Sequence, residues 1–526
     1  MVPLALLGTG KSASPPINKT YPTEETIVLN VGQQLTLSPS LHVEGSTYTI
    51  SPQLPEGLSL DPKTGIISGA PTASFPATVF TITQTKPDGT KTSWKVTIGV
   101  NGNGPTDATA PTFSIESGKA YPVPQILTLQ SSPGAKIYYT TDGSEPNENS
   151  TLYTDKIFPV RDFAGKRIKA IAINGASRSI VSSAVYYYPI LKTGQTDCWI
   201  DGILTTVDCT GSGQDGEFQK GMDRSYTDNG DGTISDNVTG LTWHKCVSGT
   251  FGQDCSSGTA TKYSFENAER FCSESTVGGR KWKLPTMAEL SGLVIYKTRP
   301  FNSNFLIETV AWDTGYFPND TEHSFLGTSE RKQDSYGNIM WGKVKFLIIH
   351  IQWFFEYDPE AFIRCVEQNS YSIQKSFTDN GDGTIKDNAT NLTWQKCVYG
   401  QSLDQSCTGQ VQSVLWSDAI DYCKNLELAG RQWRLPNKNE LLSLFDYRQQ
   451  QPAVPPPFSD FGSMSNYSTN YGINIADVWS STTYATISQY AYPVDFYYGG
   501  TGRAWQHGYG KGGAAYFPSA KCVSDP

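Results

Sequence analysis

The chain has 526 residues, a formal net charge of −9 and only 17% charged residues. No run of Lys or Arg supplies the basic footprint that phosphate binding needs, which argues against nucleic acid and anionic glycans as partners. Gly (49), Pro (31) and Tyr (28) are plentiful, so turn-rich β modules are expected. The longest apolar stretch, Phe346-Leu347-Ile348-Ile349, is far below the roughly 20 residues of a spanning helix, so no transmembrane segment is expected.

At roughly 100–200 residues per domain the length predicts several domains. Residues 1–25 open on Val2-Pro3-Leu4-Ala5-Leu6-Leu7, which lacks a basic flank. They read as a flexible N-terminus or the remnant of a signal peptide. From 26 to 101 short alternating segments such as Thr26-Ile27-Val28-Leu29 and Val79-Phe80-Thr81-Ile82 predict strands. Leu54-Pro55-Glu56-Gly57-Leu58, followed by Gly65-Ile66-Ile67-Ser68-Gly69-Ala70-Pro71, resembles the signature of bacterial immunoglobulin-like surface domains. That resemblance implies a β-sandwich spacer. Residues 110–188 carry Ile137-Tyr138-Tyr139-Thr140-Thr141-Asp142-Gly143-Ser144-Glu145-Pro146 and then Ile168-Lys169-Ala170-Ile171-Ala172. They resemble the C-terminal β-sandwich of chitobiase and β-hexosaminidase, a module that is not itself catalytic. Residues 189–221 are rich in Gly, Ser and Gln and are expected to be a connector, in which Cys198 and Cys209 close a small loop.

The remainder is written twice. Thr227-Asp228-Asn229-Gly230-Asp231-Gly232-Thr233 returns as Thr378-Asp379-Asn380-Gly381-Asp382-Gly383-Thr384; Leu241-Thr242-Trp243 returns as Leu392-Thr393-Trp394, and Trp282-Lys283-Leu284-Pro285 as Trp433-Arg434-Leu435-Pro436. The spacing is that of a duplicated domain, placed at 222–368 and 373–526, rather than of a solenoid repeat of roughly 20–50 residues. Each copy opens on a hairpin with a Gly-bearing turn. Its carboxylates (Asp228, Asp231 and Asp236; Asp379, Asp382 and Asp387) invite a calcium reading. Placing Gly232 at the sixth position of an EF-hand loop puts Thr227 at the first and Val238 at the twelfth, so the template fails. A helix is expected near 264–273 and 417–426 with Ser as its N-cap. A second helix should begin after Leu-Pro. Thr286-Met287-Ala288-Glu289 and Asn437-Lys438-Asn439-Glu440 are capping boxes, which account for Glu289 and Glu440 without catalysis.

None of the ten cysteines precedes Cys198, and each copy holds four: Cys246, Cys255, Cys272 and Cys365, then Cys397, Cys407, Cys423 and Cys522. Matched even sets predict disulfides and an oxidising compartment. Spacing alone leaves three pairings open per copy. The ordered motifs of the two copies, closing on Val478-Trp479-Ser480-Ser481-Thr482 and Lys521-Cys522-Val523, resemble the Lcl C-terminal domain family. The resemblance implies a C-type-lectin-like α+β fold, so the whole is expected to be two all-β sandwiches followed by two such domains. It also implies the pairs Cys272–Cys365 and Cys423–Cys522, leaving Cys246–Cys255 and Cys397–Cys407 as local pairs beside Cys198–Cys209. The first copy departs from the pattern, with Leu326-Gly327-Thr328-Ser329 where Trp-Ser-Ser-Thr is expected.

Within 484–520 the second copy concentrates Tyr484, Gln489, Tyr490, Tyr497, Tyr498, Arg503, Trp505, His507 and Tyr509 among Gly, Ser, Thr and Ala. Amphipathic aromatics between small adaptable residues are the chemistry of binding loops. In C-type-lectin-like folds this region builds the exposed face, and in some families it is diversified by reverse-transcriptase cassettes. These residues are the expected ligand contacts. The first copy ends on apolar residues, including Trp353-Phe354-Phe355, expected to pack against the second. No lectin-type calcium signature occurs in the copies. No catalytic motif of the H-E-x-x-H or G-x-S-x-G type occurs either, and no metal or cofactor is expected. The expectation is a non-enzymatic, secreted or surface-displayed adhesin-like protein that binds a protein or glycan on another cell or matrix. The alternative is a matrix protein whose heads self-associate.

Overall fold

The computed structural model describes residues 15–22, 25–73, 75–101, 108–154, 158–159, 162–175, 177–199, 206–301, 305–309, 325–333, 339–345, 350–355, 360–368, 375–446, 454–458, 477–483, 490–496, 509–510 and 518–526. They fall into two compact units: Met1–Ala120 with Gln125–Tyr187, and Tyr121–Pro124 with Tyr188–Pro526.

The first unit begins with a sandwich of two four-stranded sheets. One runs in the order Ile17–Tyr21, Leu35–Pro39, Ile67–Gly69, Leu58–Leu60; the other runs Thr26–Asn30, Lys91–Asn101, Phe75–Thr85, Thr47–Ser51. Alternation sends Leu35, Leu37, Phe80, Ile82, Val96 and Ile98 into one core and leaves Thr81, Thr83 and Lys95 on the other side of their strands. The glycines of the signature are required by close approach. A Cβ on Gly57 would lie 2.0 Å from the Ala70 carbonyl oxygen, and one on Gly69 would lie 2.1 Å from that of Gly57. A second sheet system follows, with Lys136–Thr140 and Ser182–Val185 flanking Arg167–Asn174. Its core holds Leu129, Ile137, Ala170 and Ala172.

In the second unit each copy folds to the same plan. The hairpin strands Tyr226–Asp228 and Thr233–Asp236 lead to Thr242–His244, which pairs with Val366–Glu367 near the end of the copy. In the second copy Phe377–Asp379, Thr384–Asp387, Thr393–Gln395 and Val523–Ser524 repeat the order. Helices Phe265–Glu274 and Trp416–Lys424 are followed by the short helices Met287–Ser291 and Lys438–Ser443. Both expected capping boxes form. The expected serine caps do not. Ser264 stands at the N-cap without a side-chain cap bond, and the second-copy helix starts at Trp416, so that Leu415 is its N-cap and Ser417 lies inside the first turn. The five disulfides are Cys198–Cys209, Cys246–Cys255, Cys272–Cys365, Cys397–Cys407 and Cys423–Cys522; the third and fifth are the pairs that the family resemblance implies, and the others are the local pairs expected beside them.

The two copies share one hydrophobic core. Ile234, Trp243, Leu290, Leu293, Val294 and Tyr296 of the first pack with Ile385, Trp394, Leu441, Leu444, Phe445 and Tyr492 of the second. The Tyr296 and Tyr492 rings meet edge to face at 5.1 Å. The Lys438 ammonium, on a residue only 1% exposed, lies 3.9 Å from the Tyr492 ring centroid and 4.9 Å from that of Tyr296. The side chains of Trp353, Phe354 and Phe355 lie outside the described residues, as do residues 346–349.

The 189–221 segment belongs to this unit. Cys198, Trp199, Gln195, Gln214 and Asp215 are all buried in it, so it packs as part of the domain pair rather than spanning between domains.

The missing Trp-Ser-Ser-Thr of the first copy has a packing explanation. Ser329 and Ser481 occupy the same place, since their amides donate to Pro285 O and Pro436 O respectively. That equates Gly327 with Trp479, and strand pairing equates Trp341 with Ala491. The first copy thus carries its indole on the neighbouring strand. A Cβ at Gly327 would meet the Trp341 ring at 2.2 Å. The indole nitrogens find different acceptors: Trp341 donates to Thr328 O at 2.6 Å and Trp479 to Val414 O at 2.8 Å. Val414 O has no proline amide to accept from at Pro518, whereas in the first copy Ala361 N donates to Tyr263 O.

Two outcomes follow from these contacts. Replacing Cys423 and Cys522 by Ala should lower the urea stability of the second unit by about 4 kcal/mol, against about 2 for Cys397 and Cys407, because the loops closed are 99 and 10 residues. Trp341→Ala and Gly327→Trp should each destabilise by about 3 kcal/mol or more, from a cavity and an overpacked core respectively. The double variant should recover at least about 1 kcal/mol relative to the sum, a coupling read from a double-mutant cycle. Strict additivity would refute the swap.

Candidate ligand-binding face

The expected face grows from the sheet Asp477–Thr483, Tyr490–Asp495, Tyr509–Gly510. Tyr490 pairs with Gly510 and Tyr509 with Ala491, so the structure brings these two predicted positions onto adjacent strands. Tyr484, Gln489, Tyr497, Tyr498, Arg503, Trp505 and His507 lie outside the described residues, and so do the side chains of Tyr490 and Tyr509.

Beneath it, the Asp477–Thr483 strand is buried along its whole length although five of its seven residues are polar. Burial of that kind is tolerated only when polar groups are bonded. Ser480 Oγ donates to Tyr492 O at 2.6 Å, and Trp416 Nε1 donates to Ser480 O at 2.8 Å. Thr482 Oγ1 accepts from the Lys438 amide at 3.0 Å and donates to Asp215 Oδ2 at 2.8 Å. Thr483 is held on both backbone groups by one side chain: its amide donates to Gln195 Oε1 and its carbonyl accepts from Gln195 Nε2, each at 2.8 Å. Its hydroxyl donates to Gln214 Oε1 at 3.3 Å.

Gln195, Gln214 and Asp215 come from the segment read as a connector. Sequence reasoning missed them because Gln, Gly and Ser without hydrophobic periodicity carry the composition of a linker. Their partners lie more than 260 positions away in the chain. Two further ties hold this segment to the second copy: Asn437 Nδ2 donates to Lys220 O and Asn439 Nδ2 to Leu191 O.

The equivalent of Thr482 in the first copy is Glu330. Its carboxyl accepts directly from the Met287 amide at 2.8 Å, the counterpart of the Lys438 amide. Burial, reinforced by the nearby Glu289 carboxylate, pushes Glu330 up to about 7. Asp215 is pushed up to about 6, mainly by burial, against the stabilising hydroxyls of Thr193 and Thr482.

The repeated Asp-Asn-Gly-Asp-Gly turns spend their carboxylates internally. Asp228 Oδ1 accepts from the Gly230 amide and Oδ2 from Lys245 Nζ at 2.6 Å; Asp231 Oδ1 accepts from Thr233. Asp379, Lys396, Asp382 and Thr384 repeat the arrangement. Among the described residues no group of three or more His, Cys, Asp or Glu side chains converges as a metal site. Of the histidines, His244 is buried against Trp282 at 4.2 Å between ring centroids, and desolvation pulls it down to about 3. It is a neutral core residue.

The Lcl C-terminal domain family profile matches residues 232–367 and 383–512, just over half of the chain, and the chain belongs to that family. The chitobiase/beta-hexosaminidase C-terminal domain matches residues 115–187, and the family named "Putative Ig domain" matches 13–101. No curated protein matches the chain. Among solved structures, a Dscam structure shares 9% identity over 31% of this chain and 44% of its own, at a TM-score of 0.15, so this chain spans less than half of it. Murine CEACAM1b shares 15% over 31% of this chain and 98% of its own, at 0.14. The Ig1-2 module of the Drosophila receptor protein tyrosine phosphatase DLAR shares 14% over 32% and 96%, also at 0.14.

Glu330 supplies a pH prediction. A raised folded-state value means that its contribution is complete below the ordinary glutamate range near 4.5 and is lost as pH rises through about 7. Glu330→Gln, which keeps an acceptor for the Met287 amide, should match wild-type stability at pH 4 and exceed it by about 2–3 kcal/mol at pH 8. Urea unfolding at the two pH values measures it, and equal offsets at both would refute the assignment.

Proposed function

We propose that this is a non-enzymatic ligand-binding protein of the adhesin type, secreted or surface-displayed. Its two β-sandwich modules carry a pair of C-type-lectin-like domains, and residues 484–490 and 497–509 of the second domain recognise a protein or glycan on another cell or matrix. The observation that carries this reading is the contrast at Thr483. Up to that residue every element of the strand is buried and tied down; beyond it, on either side of the buried strand residues 491–496, the sequence turns to Tyr, Gly, Arg, Trp and His. A fixed base under aromatic-rich residues is how rigid scaffolds present binding loops. Supporting a binding rather than catalytic role, all ten cysteines are in disulfides, which leaves no thiol for oxidase chemistry. The carboxylates of the repeated turns are engaged with their own turns and with Lys245 and Lys396. Five disulfides fit an oxidising, extracellular setting, and no helix among the described residues is long and apolar enough to cross a membrane.

Because the copies share a core, the test uses the full chain. Trp505→Ala and Tyr498→Ala should each lower binding to arrayed glycans or to cultured cells by tenfold or more, with an unchanged urea midpoint. Unchanged binding in both variants would defeat the proposed face. Concentration-dependent oligomers with no foreign ligand bound would favour self-association instead.

A further inference from the structure

The second helix of each copy starts under the first strand of the terminal sheet, and each copy places a carboxyl there. The first copy provides its own, through Glu330 on the Met287 amide. The second has Thr482 at that position, and the carboxyl arrives from outside the copy: Asp215 accepts from Thr482 Oγ1, which in turn accepts from the Lys438 amide. The second copy is therefore incomplete without residues 188–221. The same stretch fixes both backbone groups of Thr483 through Gln195.

Asp215 is 1% exposed. Its Oδ2 accepts from Thr193 and Thr482 at 2.6 and 2.8 Å, while its Oδ1 has no hydrogen-bond partner among the described residues. As a neutral acid the group leaves one weakly solvated hydroxyl; as a carboxylate it would leave a charged oxygen unsolvated in the core, the costlier state. The charged groups around it do not remove that cost. Glu440 repels the ionised form, and Arg434, which attracts it, is already held by both oxygens of Glu440 and by Asp525, itself bridged to Lys220. On its own short helix Glu217 turns away, accepting from the amides of Gly211 and Gly213. Lys438, whose amide starts the chain of bonds, sends its ammonium to the Tyr296 and Tyr492 rings.

We propose that residues 188–199 and 206–221 form a proton-sensitive seat for the Asp477–Thr483 strand, locking it while Asp215 is neutral and loosening it when Asp215 ionises. The naming of what the strand carries rests on the binding-face reading above; the seat itself does not. Regulation of that face would follow from the pH of the surroundings, with the strand held most firmly in mild acid.

Amide hydrogen exchange on the full chain tests it, with no ligand present, so that failure of the binding face cannot affect the result. After correction for intrinsic rates, protection of 477–483 should fall roughly tenfold to a hundredfold between pH 5 and pH 8, while strands 75–85 and 91–101 of the first unit serve as the reference. Asp215→Asn should remove the step. Gln195→Ala should lower protection at both pH values and keep the step, and Thr193→Val, which takes one donor from the carboxyl, should move the step to higher pH. A flat profile in the wild-type chain, or a step that survives Asp215→Asn, overturns the proposal. If Asp215→Asn does not fold, an unmoved step in Thr193→Val does the same.

Discussion

The architecture of the second unit depends on the apolar core that its two copies build together, beside the smaller core each keeps around its first helix. Neither copy closes a core around its short second helix by itself. Leu290 and Val294 of one and Leu441, Leu444 and Phe445 of the other fill a common space, sealed by the Tyr296–Tyr492 contact. An aromatic pair of this kind contributes about 1 kcal/mol beyond its buried area, and a desolvated cation over aromatic faces about 2. Lys438 illustrates how tightly the two surfaces are matched. Its first-copy equivalent is Met287, whose methyl lies 2.5 Å from where a Cβ on Gly342 would stand. The second copy exchanges that Met and Gly for Lys and Tyr, and so replaces a thioether against backbone with an ammonium over a ring.

The same economy recurs in the sheets. Gly327 with Trp341 and Trp479 with Ala491 put one indole into one volume from opposite strands. Core volume is kept while its source changes, as close packing demands. Similarly, each copy buries a cation just before its last cysteine: Arg364 donates to the carbonyls of His244 and Lys245, and Lys521 to that of Lys396. Both spend a charge on carbonyls where the Thr242–His244 and Thr393–Gln395 strands end, the need being set by backbone geometry rather than by side-chain identity.

What the sequence made legible was whatever local chemistry dictates. Thr286 and Asn437 announce their helices because a cap is decided within four residues. The Asp-Asn-Gly-Asp-Gly turns announce themselves because their carboxylates bond two residues away. Serine was a weaker guide: at Ser264 the extended N-cap backbone occurs without the side-chain bond, and the second-copy helix starts at Trp416, the equivalent of Phe265, so that Ser417 falls inside it. What remained illegible was non-local. Gln195 and Asp215 look like linker residues in the chain and become framework only against a strand that is far away in sequence. The shared core was hidden for the same reason, since Tyr296 and Tyr492 meet from separate copies. Of the nine expected ligand contacts, the structure places the backbone of Tyr490 and Tyr509 alone.

Duplication gives this asymmetry its physical logic. When two scaffolds are joined in one chain and share a core, either can give up self-sufficiency without losing its fold. The first copy kept its own carboxyl at Glu330, on a strand whose neighbours fill one another's spaces. The second gave that position to Thr482 and took Asp215 from the preceding segment, so its strand is held by residues that lie outside the copy. A scaffold whose supports are external is free at the positions those supports do not touch. The framework of the Asp477–Thr483 strand is then decided by residues that precede the copy.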